Sequence, residues 1–211
     1  MFDRLPDPDI AKADAREAVE RLCVLYDRLI EESEAAGLSE AAAAELRAMA
    51  RIYDLDTDRS DADVWRGLRP ILVSQTSVRP VAAGEARPGG EFEALTLLLV
   101  EDDPETAADL TAALSEAGHS VVGPFHHAEA AEAAVALHAV DLALLDINLS
   151  GETDGVALAR TLKGRWGLPV LFLSGDVTAA ARNADLAAAL VLKPYTSRQV
   201  LEAIARAMAR V

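Results

Sequence analysis

The chain has 211 residues, a formal net charge of −15 and a hydrophobic fraction of 51%. That fraction supplies a substantial core, so the composition excludes wholesale disorder, and the acidity excludes the basic footprint of a direct nucleic-acid binder. Cys23 is the only cysteine, so neither an internal disulfide nor a thiolate metal cluster can form. The first residues lack the basic and apolar regions of a signal peptide, and no apolar stretch approaches membrane-spanning length, so we predict a cytoplasmic protein with no membrane partner.

Residues 1–76 are predicted to form a small all-α domain that begins with one long helix. Apolar residues recur at three- and four-residue steps between Ile10 and Leu29, which is the pattern of an amphipathic helix. A long apolar stripe is stabilised when a second copy buries it, so we predict a homodimer through this domain. The alternative is that the helices pack on one another or on the rest of the chain.

Two shorter helices are expected to follow the long one. Ser39 can cap a helix that begins at Glu40. Ser60 and Asp63 resemble a capping box that opens a third helix. Pro70 falls inside that third segment and predicts a kink or an early break there.

Residues 77–93 are predicted to be a linker between two domains. They contain two prolines and three glycines and show neither a helical nor a strand period.

Residues 94–211 alternate between short apolar runs and helical segments. The strand candidates are 95–100, 119–123, 141–146, 169–174 and 189–193. The helix candidates are 105–117, 127–139, 154–165, 178–187 and 196–210. Five strand–helix repeats with short connections predict an α/β fold, a doubly wound parallel sheet of five strands with helices on both faces.

Four of the apolar runs end in polar residues of different kinds. In chain order these residues are Glu101-Asp102-Asp103, Asp146, Ser174 and Lys193. Because parallel sheets collect function at the carboxyl ends of their strands, acids, a hydroxyl and an ammonium group are expected to meet on one rim. That set suits a magnesium ion and a phosphoryl group.

Four motifs carry a resemblance to a known family. They are Leu98-Leu99-Val100-Glu101-Asp102-Asp103-Pro104, residues 141–149, Leu173-Ser174-Gly175 and Leu192-Lys193-Pro194-Tyr195. Together and in this order they resemble a response-regulator receiver domain, the phosphoryl-accepting module of two-component signalling. The resemblance implies a flavodoxin-like receiver fold for residues 94–211.

The resemblance also implies a role for each acid. Asp146 aligns with the phosphoryl acceptor, which takes its phosphoryl group from a histidine kinase or a histidine phosphotransfer protein. Glu101 and Asp102 align with the acidic pair that holds Mg²⁺ together with Asp146 and the backbone carbonyl of Asn148. Without a cation these carboxylates repel one another, so their clustering favours a metal site.

Three further residues complete the expected site. Lys193 would supply an ammonium group, and Ser174 a hydroxyl, to the phosphoryl oxygens, while Asp103 would support the site electrostatically. The structural alternatives are that Ser174 caps the following helix and that Lys193 is a solvated strand end.

Two features depart from the commonest receivers. The switch position three residues before Lys193, usually aromatic, is Leu190, and the interval from Ser174 to Lys193 is short, which predicts a short or irregular fourth receiver helix. Both features resemble a receiver subgroup that includes general-stress regulators with a carboxyl-terminal receiver. That similarity admits an anti-sigma factor as output partner, although about 76 helical residues are few for the sigma-like domain of those regulators.

Other motifs are rejected. Asp54-x-Asp56-x-Asp58 opens like a calcium loop but lacks the required glycine and closing glutamate. All four histidines lie beyond residue 118, so residues 1–76 cannot relay phosphate through histidine. The pair His126-His127 is interpreted as surface decoration, and Trp65 and Trp166 as packing residues.

We therefore predict a response regulator of a phosphorelay, not an enzyme beyond its own phosphotransfer and dephosphorylation. Phosphorylation of Asp146 would switch the protein–protein contacts of the helical domain. Two alternatives stay open: a phosphorylation-independent scaffold, and a phosphatase that forms an aspartyl phosphate. Such phosphatases place a second acid two residues after the nucleophile, where this chain has Asn148.

Overall fold

The structure is a computed structural model that describes residues 8–33, 37–75, 94–149 and 154–209. Eight helices and five strands lie within these residues, in the order α1 (Pro8–Glu32), α2 (Glu40–Ile52), α3 (Asp61–Ser74), β1 (Thr96–Val100), α4 (Pro104–Glu116), β2 (Ser120–Phe125), α5 (Ala128–Leu137), β3 (Leu142–Asp146), α6 (Gly155–Trp166), β4 (Val170–Ser174), α7 (Val177–Arg182), β5 (Ala189–Leu192) and α8 (Ser197–Met208). The linker predicted at 77–93 lies outside the described residues. No helix in the described ranges is long and apolar enough to span a membrane.

The five strands form one parallel sheet in the order β2-β1-β3-β4-β5. Strands β3 and β4 are buried at every position, which is why their sequences are continuous apolar runs instead of alternating ones. The predicted fold class is confirmed: a five-stranded parallel sheet with flanking helices follows an amino-terminal helical region. Because β1 lies between β2 and β3, the chain reverses its winding at β1, and a crevice opens at the carboxyl ends of β1 and β3.

Alternate residues of the strands point to two separate helical layers. Leu97 and Leu99 pack with α4 and α8 on one face of the sheet. Leu98 and Val100 pack on the other face in a cluster that includes residues of α5 and α6. That second cluster continues into the amino-terminal helices, so both parts of the chain share one hydrophobic core.

The apolar stripe of α1 is buried within the chain. Val19, Leu22 and Tyr26 are at most 1% exposed, and they belong to the same cluster as Ala130 and Ala133 of α5. Small alanine side chains on α5 allow the two helices to pack closely. The alternative, packing of the helices on the rest of the chain, is therefore what the structure contains for these residues, and the homodimer stays a prediction.

Helix α3 does not end early. It runs through Pro70 to Ser74, so of the two predicted outcomes, a kink or an early break, the early break does not occur. Proline inside a helix costs about 3 kcal/mol through its missing N–H and its clash with the preceding turn. Leu68 and Leu72 flank Pro70, are at most 2% exposed and bury apolar area that offsets this cost.

Helix α7 is short, as predicted from the interval between Ser174 and Lys193. It covers six residues, Val177–Arg182, instead of the ten of the candidate segment 178–187. Leu190 and Leu192 of β5 are 36% and 42% exposed.

Charged residues reinforce the packing of the helical region. The side chain of Glu132 on α5 is 5% exposed and accepts hydrogen bonds from Arg21 of α1 at 2.5 Å and from Arg165 of α6 at 3.5 Å. Arg165 also pairs with Glu17 of α1 at 3.3 Å. A carboxylate that is almost completely shielded from solvent needs a positively charged partner. The two arginines that pair with Glu132 come from the amino-terminal helices and from the receiver half.

The pair His126-His127 is not surface decoration. It lies between β2 and α5, where His126 is 6% exposed and both backbone amides donate to the fully buried Glu45 of α2. The ring Nδ1 of His127 lies 3.1 Å from Oε1 of Glu45, and Tyr26 donates to the same oxygen at 2.7 Å. The sequence interpretation failed because this carboxylate is remote along the chain.

The contact between Glu45 and His127 predicts a pH-dependent contribution to stability. The hydrogen bond of the His127 ring to the Glu45 carboxylate raises the pKa of His127 above its ordinary 6.5; burial opposes this, and the charges of Glu45 and Glu129 add to it. A raised histidine pKa stabilises the fold below 6.5, and this contribution is lost as the pH rises through the folded-state value. The unfolding free-energy difference between wild type and His127→Gln should therefore be larger at about pH 6 than at about pH 8.5.

Urea denaturation at both pH values measures this difference. Burial lowers the pKa of His119 and His138, so their contributions to the free energy of unfolding vary with pH below 6.5. These contributions are the same in wild type and in His127→Gln and cancel in the difference. An equal difference at the two pH values would show that His127 gains no proton on folding.

Candidate functional site

The acidic residues lie at the carboxyl ends of β1 and β3. Register pairs Val100 of β1 with Leu145 of β3, so the residues that follow them, Glu101 and Asp146, are neighbours on the rim. Glu101 is fully buried and Asp146 is 6% exposed.

Three carboxylates on this rim converge. One oxygen each from Glu101, Asp102 and Asp146 lies within 4.8 Å of the others. Like charges at this separation repel, and a hard divalent cation that prefers oxygen ligands relieves the repulsion. The donor set, three acids and no nitrogen or sulfur, therefore fits Mg²⁺, which Glu101, Asp102 and Asp146 would hold.

Lys193 follows β5 and reaches the same carboxylates. Its Nζ donates to Oε1 and Oε2 of Glu101 at 3.0 and 2.7 Å and to Oδ2 of Asp146 at 2.6 Å. Burial lowers the pKa of Lys193, but the hydrogen bonds to Asp146 and Glu101 outweigh it and raise that pKa above its ordinary value. Burial raises the pKa of Glu101, against the opposing effect of Lys193. Lys193 is thus a partner of the acids and not a solvated strand end.

The second oxygen of Asp146 is also held. Its Oδ1 accepts a hydrogen bond from the backbone amide of Asn148 at 2.9 Å. Lys193 and this amide therefore fix the carboxylate plane between them. Asn148 itself is exposed, at the start of the loop after β3.

Ser174 ends β4 on the same rim and is fully buried. Its Oγ accepts from the amide of Asp176 at 3.0 Å and donates to the carbonyl of Asp176 at 3.3 Å. The hydroxyl thus stabilises the turn before α7, while Asp176 is the residue that caps this helix. The structural alternative for Ser174 was that it caps the helix after β4. Its hydroxyl instead stabilises the turn directly before that helix.

Asp103 and Leu190 have other surroundings. Asp103 caps α4 by accepting from the amide of Thr106 at 2.7 Å, and the hydrogen bonds from Thr106 hold its pKa below the ordinary value. Leu190 lies on the edge strand β5, opposite Phe172 of β4.

Two residues beside the site escaped the sequence interpretation. A Cβ on Gly155 would lie 2.0 Å from the carbonyl oxygen of Asp146, so the start of α6 can approach the site only with glycine there. The Tyr195 hydroxyl is buried with no hydrogen-bond partner among the described residues, and burial, then the charge of Glu101, raises its pKa to about 12. The signals were the Asp154-Gly155 pair at a helix start and the tyrosine two residues after Lys193.

Known proteins are similar to the second half of this chain. The family model described as response regulator receiver domain matches residues 97–205. The transcriptional regulatory protein TcrA of Mycobacterium tuberculosis is 33% identical over 117 residues, which are 54% of this chain and 45% of that protein. The chain therefore aligns with about half the length of this curated relative.

Solved structures match the same half of the chain. The receiver domain of NtrX from Brucella abortus has a TM-score of 0.52 and 28% identity, and the alignment covers 55% of this chain and 99% of that domain. The receiver domain of a modulated diguanylate cyclase from Desulfovibrio desulfuricans has a TM-score of 0.51 and 31% identity, with 56% and 96% covered. Since the family model matches more than half of the residues, the chain belongs to the response regulator receiver domain family.

Proposed function

We propose that Asp146 accepts a phosphoryl group from the phosphohistidine of a histidine kinase or a histidine phosphotransfer protein. The observation that supports this most directly is the Asp146 carboxylate, held between Lys193 and the amide of Asn148 beside two further acids. Such positioning is most of what phosphoryl transfer needs from a protein, because the attacking oxygen must be in line and the charge neutralised.

The proposed step is a direct displacement. A carboxylate oxygen of Asp146 forms a bond to phosphorus while the bond from phosphorus to the histidine nitrogen breaks, and the electron pair leaves with the imidazole, which takes a proton from solvent. The ammonium of Lys193 pairs with the phosphoryl oxygens. Mg²⁺, held by Glu101, Asp102 and Asp146 with the carbonyl of Asn148, supplies further charge neutralisation when bound.

The proposed switch involves the turn before α7. Ser174 now donates to the carbonyl of Asp176. A phosphoryl group on Asp146 competes with this carbonyl for the hydrogen bond of the Ser174 hydroxyl. When the hydroxyl donates to the phosphoryl group instead, the β4–α7 connection next to the exposed edge of β5 rearranges. Signalling proteins convert such local charge changes into two states of a neighbouring element.

The proposed output is a change in protein–protein contacts. The acidity of the chain disfavours a direct nucleic-acid output, and the subgroup resemblance admits an anti-sigma factor as the partner. Residues of α1, α2 and α3 share the hydrophobic core of the receiver. We therefore favour a changed contact of the docked helical region over a mechanism in which this region leaves the receiver and forms a dimer.

Acetyl phosphate with Mg²⁺ tests the proposal. The protein is expected to acquire about one alkali- and hydroxylamine-labile phosphate per chain in a Mg²⁺-dependent reaction, and p-nitrophenyl phosphate is expected not to be hydrolysed. Catalytic turnover of the ester would instead support the phosphatase alternative. Absence of labelling, together with an unchanged melting temperature in Mg²⁺ and beryllofluoride, would support the scaffold.

A further inference from the structure

One buried carboxylate from the amino-terminal helices reaches into the receiver. Glu45 of α2 is fully buried. Its Oε2 accepts from the amides of His126 and His127, and its Oε1 accepts from the hydroxyl of Tyr26 and lies 3.1 Å from Nδ1 of His127. Among the described residues, the hydrogen bonds of this carboxylate outside α1 and α2 thus go to the two residues that join β2 to α5.

Glu45 accepts from the amide of the N-cap residue of α5 and from the amide of the residue before it, at a helix start whose own N-cap side chain bonds none of the helix amides. Among the described residues, His127 occupies the N-cap position of α5 without a side-chain hydrogen bond to the helix. The first amides of a helix lack intrahelical partners and carry partial positive charge, so a carboxylate there is favourable. This carboxylate comes from a segment 81 residues earlier in the chain than His126.

The other side of the same connection holds the acid site. The amide of Glu101 donates to the carbonyl of Phe125 at 3.0 Å, and Phe125 directly precedes His126 and is fully buried. The backbone from Phe125 to His127 is therefore bonded to Glu101 on one side and to Glu45 on the other. Glu101 is itself one of the three converging carboxylates.

We infer that Glu45 is a positioning residue for the acid site: by fixing the β2–α5 connection it sets the place of Glu101, so that docking of the helical region and cation binding are energetically coupled. The cation-binding part rests on the proposed function. Coupling of this kind is reciprocal, so a cation at the rim also stabilises the docked helices.

A second tie between the same parts of the chain separates this role from docking alone. Arg21 of α1 pairs with Glu132, inside α5 and away from the β2–α5 connection. Arg21→Met weakens docking without touching the residues that hold Glu101. It is therefore the matched control for Glu45→Ala.

Two measurements on the full chain test the inference. The Mg²⁺ dissociation constant from calorimetric titration is expected to rise about threefold or more in Glu45→Ala and to stay within about twofold of wild type in Arg21→Met. Glu45→Gln, which retains an oxygen acceptor for the two amides, is expected to fall between wild type and Glu45→Ala. Hydrogen exchange of the Glu101 amide is expected to accelerate in Glu45→Ala and not in Arg21→Met.

The outcomes separate the two proposals. Equal Mg²⁺ affinity and equal Glu101 exchange in wild type and Glu45→Ala would overturn the positioning role while leaving the proposed function intact. Equal losses in Glu45→Ala and Arg21→Met would overturn it as well, because general loosening would then be the cause. Wild type that binds no Mg²⁺ would overturn the coupling together with the metal part of the proposed function. If Glu45→Ala does not fold, Glu45→Gln carries both measurements, and wild-type values in that variant would count against the inference.

Discussion

Asp146→Asn is expected to abolish the hydroxylamine-labile labelling by acetyl phosphate. The amide oxygen is a poor nucleophile, and no acyl phosphate can form on asparagine without loss of nitrogen. Asp146 is also the acid that Lys193 contacts at 2.6 Å, so the variant loses the attacking atom and one partner of the central ion pair together. Incorporation of labelled phosphate per folded chain is the quantity to measure.

Asp141→Asn is the matched control. Asp141 immediately precedes β3, at the opposite end from Asp146, and accepts from the amide of Thr96 at 2.7 Å. Labelling of this variant is expected to equal that of wild type. Labelling of Asp146→Asn at full stoichiometry would assign the acceptor to another residue.

Gly155→Ala is expected to destabilise the protein strongly. The added Cβ would lie 2.0 Å from the carbonyl oxygen of Asp146 and 3.0 Å from the Cα of Ile147. Both neighbours are backbone atoms, so neither can rotate away, and α6 must shift from the end of β3. Overpacking of this kind costs about 1–3 kcal/mol in the free energy of unfolding, or more where the backbone must move.

Gly164→Ala in the same helix should have the opposite sign. Nothing lies within 4 Å of a Cβ at Gly164, and alanine is about 0.5–1 kcal/mol more favourable than glycine in a helix interior. Urea denaturation of both variants compares the two effects under one set of conditions. A Gly155→Ala variant as stable as wild type would mean that α6 does not approach Asp146 as closely as described.

The secondary structure of the receiver half could be predicted from sequence because its signals are local. Four of the five strands are short apolar runs that end in or directly before a polar residue, and the predicted strands differ from the observed ones by at most two residues at either end. The rule that carboxyl ends of parallel strands share a rim then brought Glu101, Asp146 and Lys193 together without coordinates. The short α7 followed from the interval between Ser174 and Lys193, which is shorter than in the commonest members of the resembled family.

Side-chain partners on that rim were less predictable. The sequence predicts Ser174 at the site, but its hydroxyl forms hydrogen bonds with the backbone amide and carbonyl of Asp176. The partner of a serine hydroxyl depends on which groups lie within hydrogen-bond distance, and the sequence does not specify them. Gly155 owes its identity to a backbone approach between α6 and β3 that no local pattern encodes.

The amphipathic stripe of α1, the parallel sheet and the acids at its edge could be predicted from the amino-acid sequence, because helix and strand periods are properties of neighbouring residues. The packing of α5 on this stripe and the contact of Glu45 with the residues that precede α5 became known from the three-dimensional structure alone. Both contacts depend on the complementary shapes of the packed helices and on hydrogen bonds between residues that are distant along the chain, as for Glu45 and His126, which are 81 residues apart. A glutamate in a sequence is therefore predicted to be solvent-exposed until the groups that donate hydrogen bonds to its carboxylate are known.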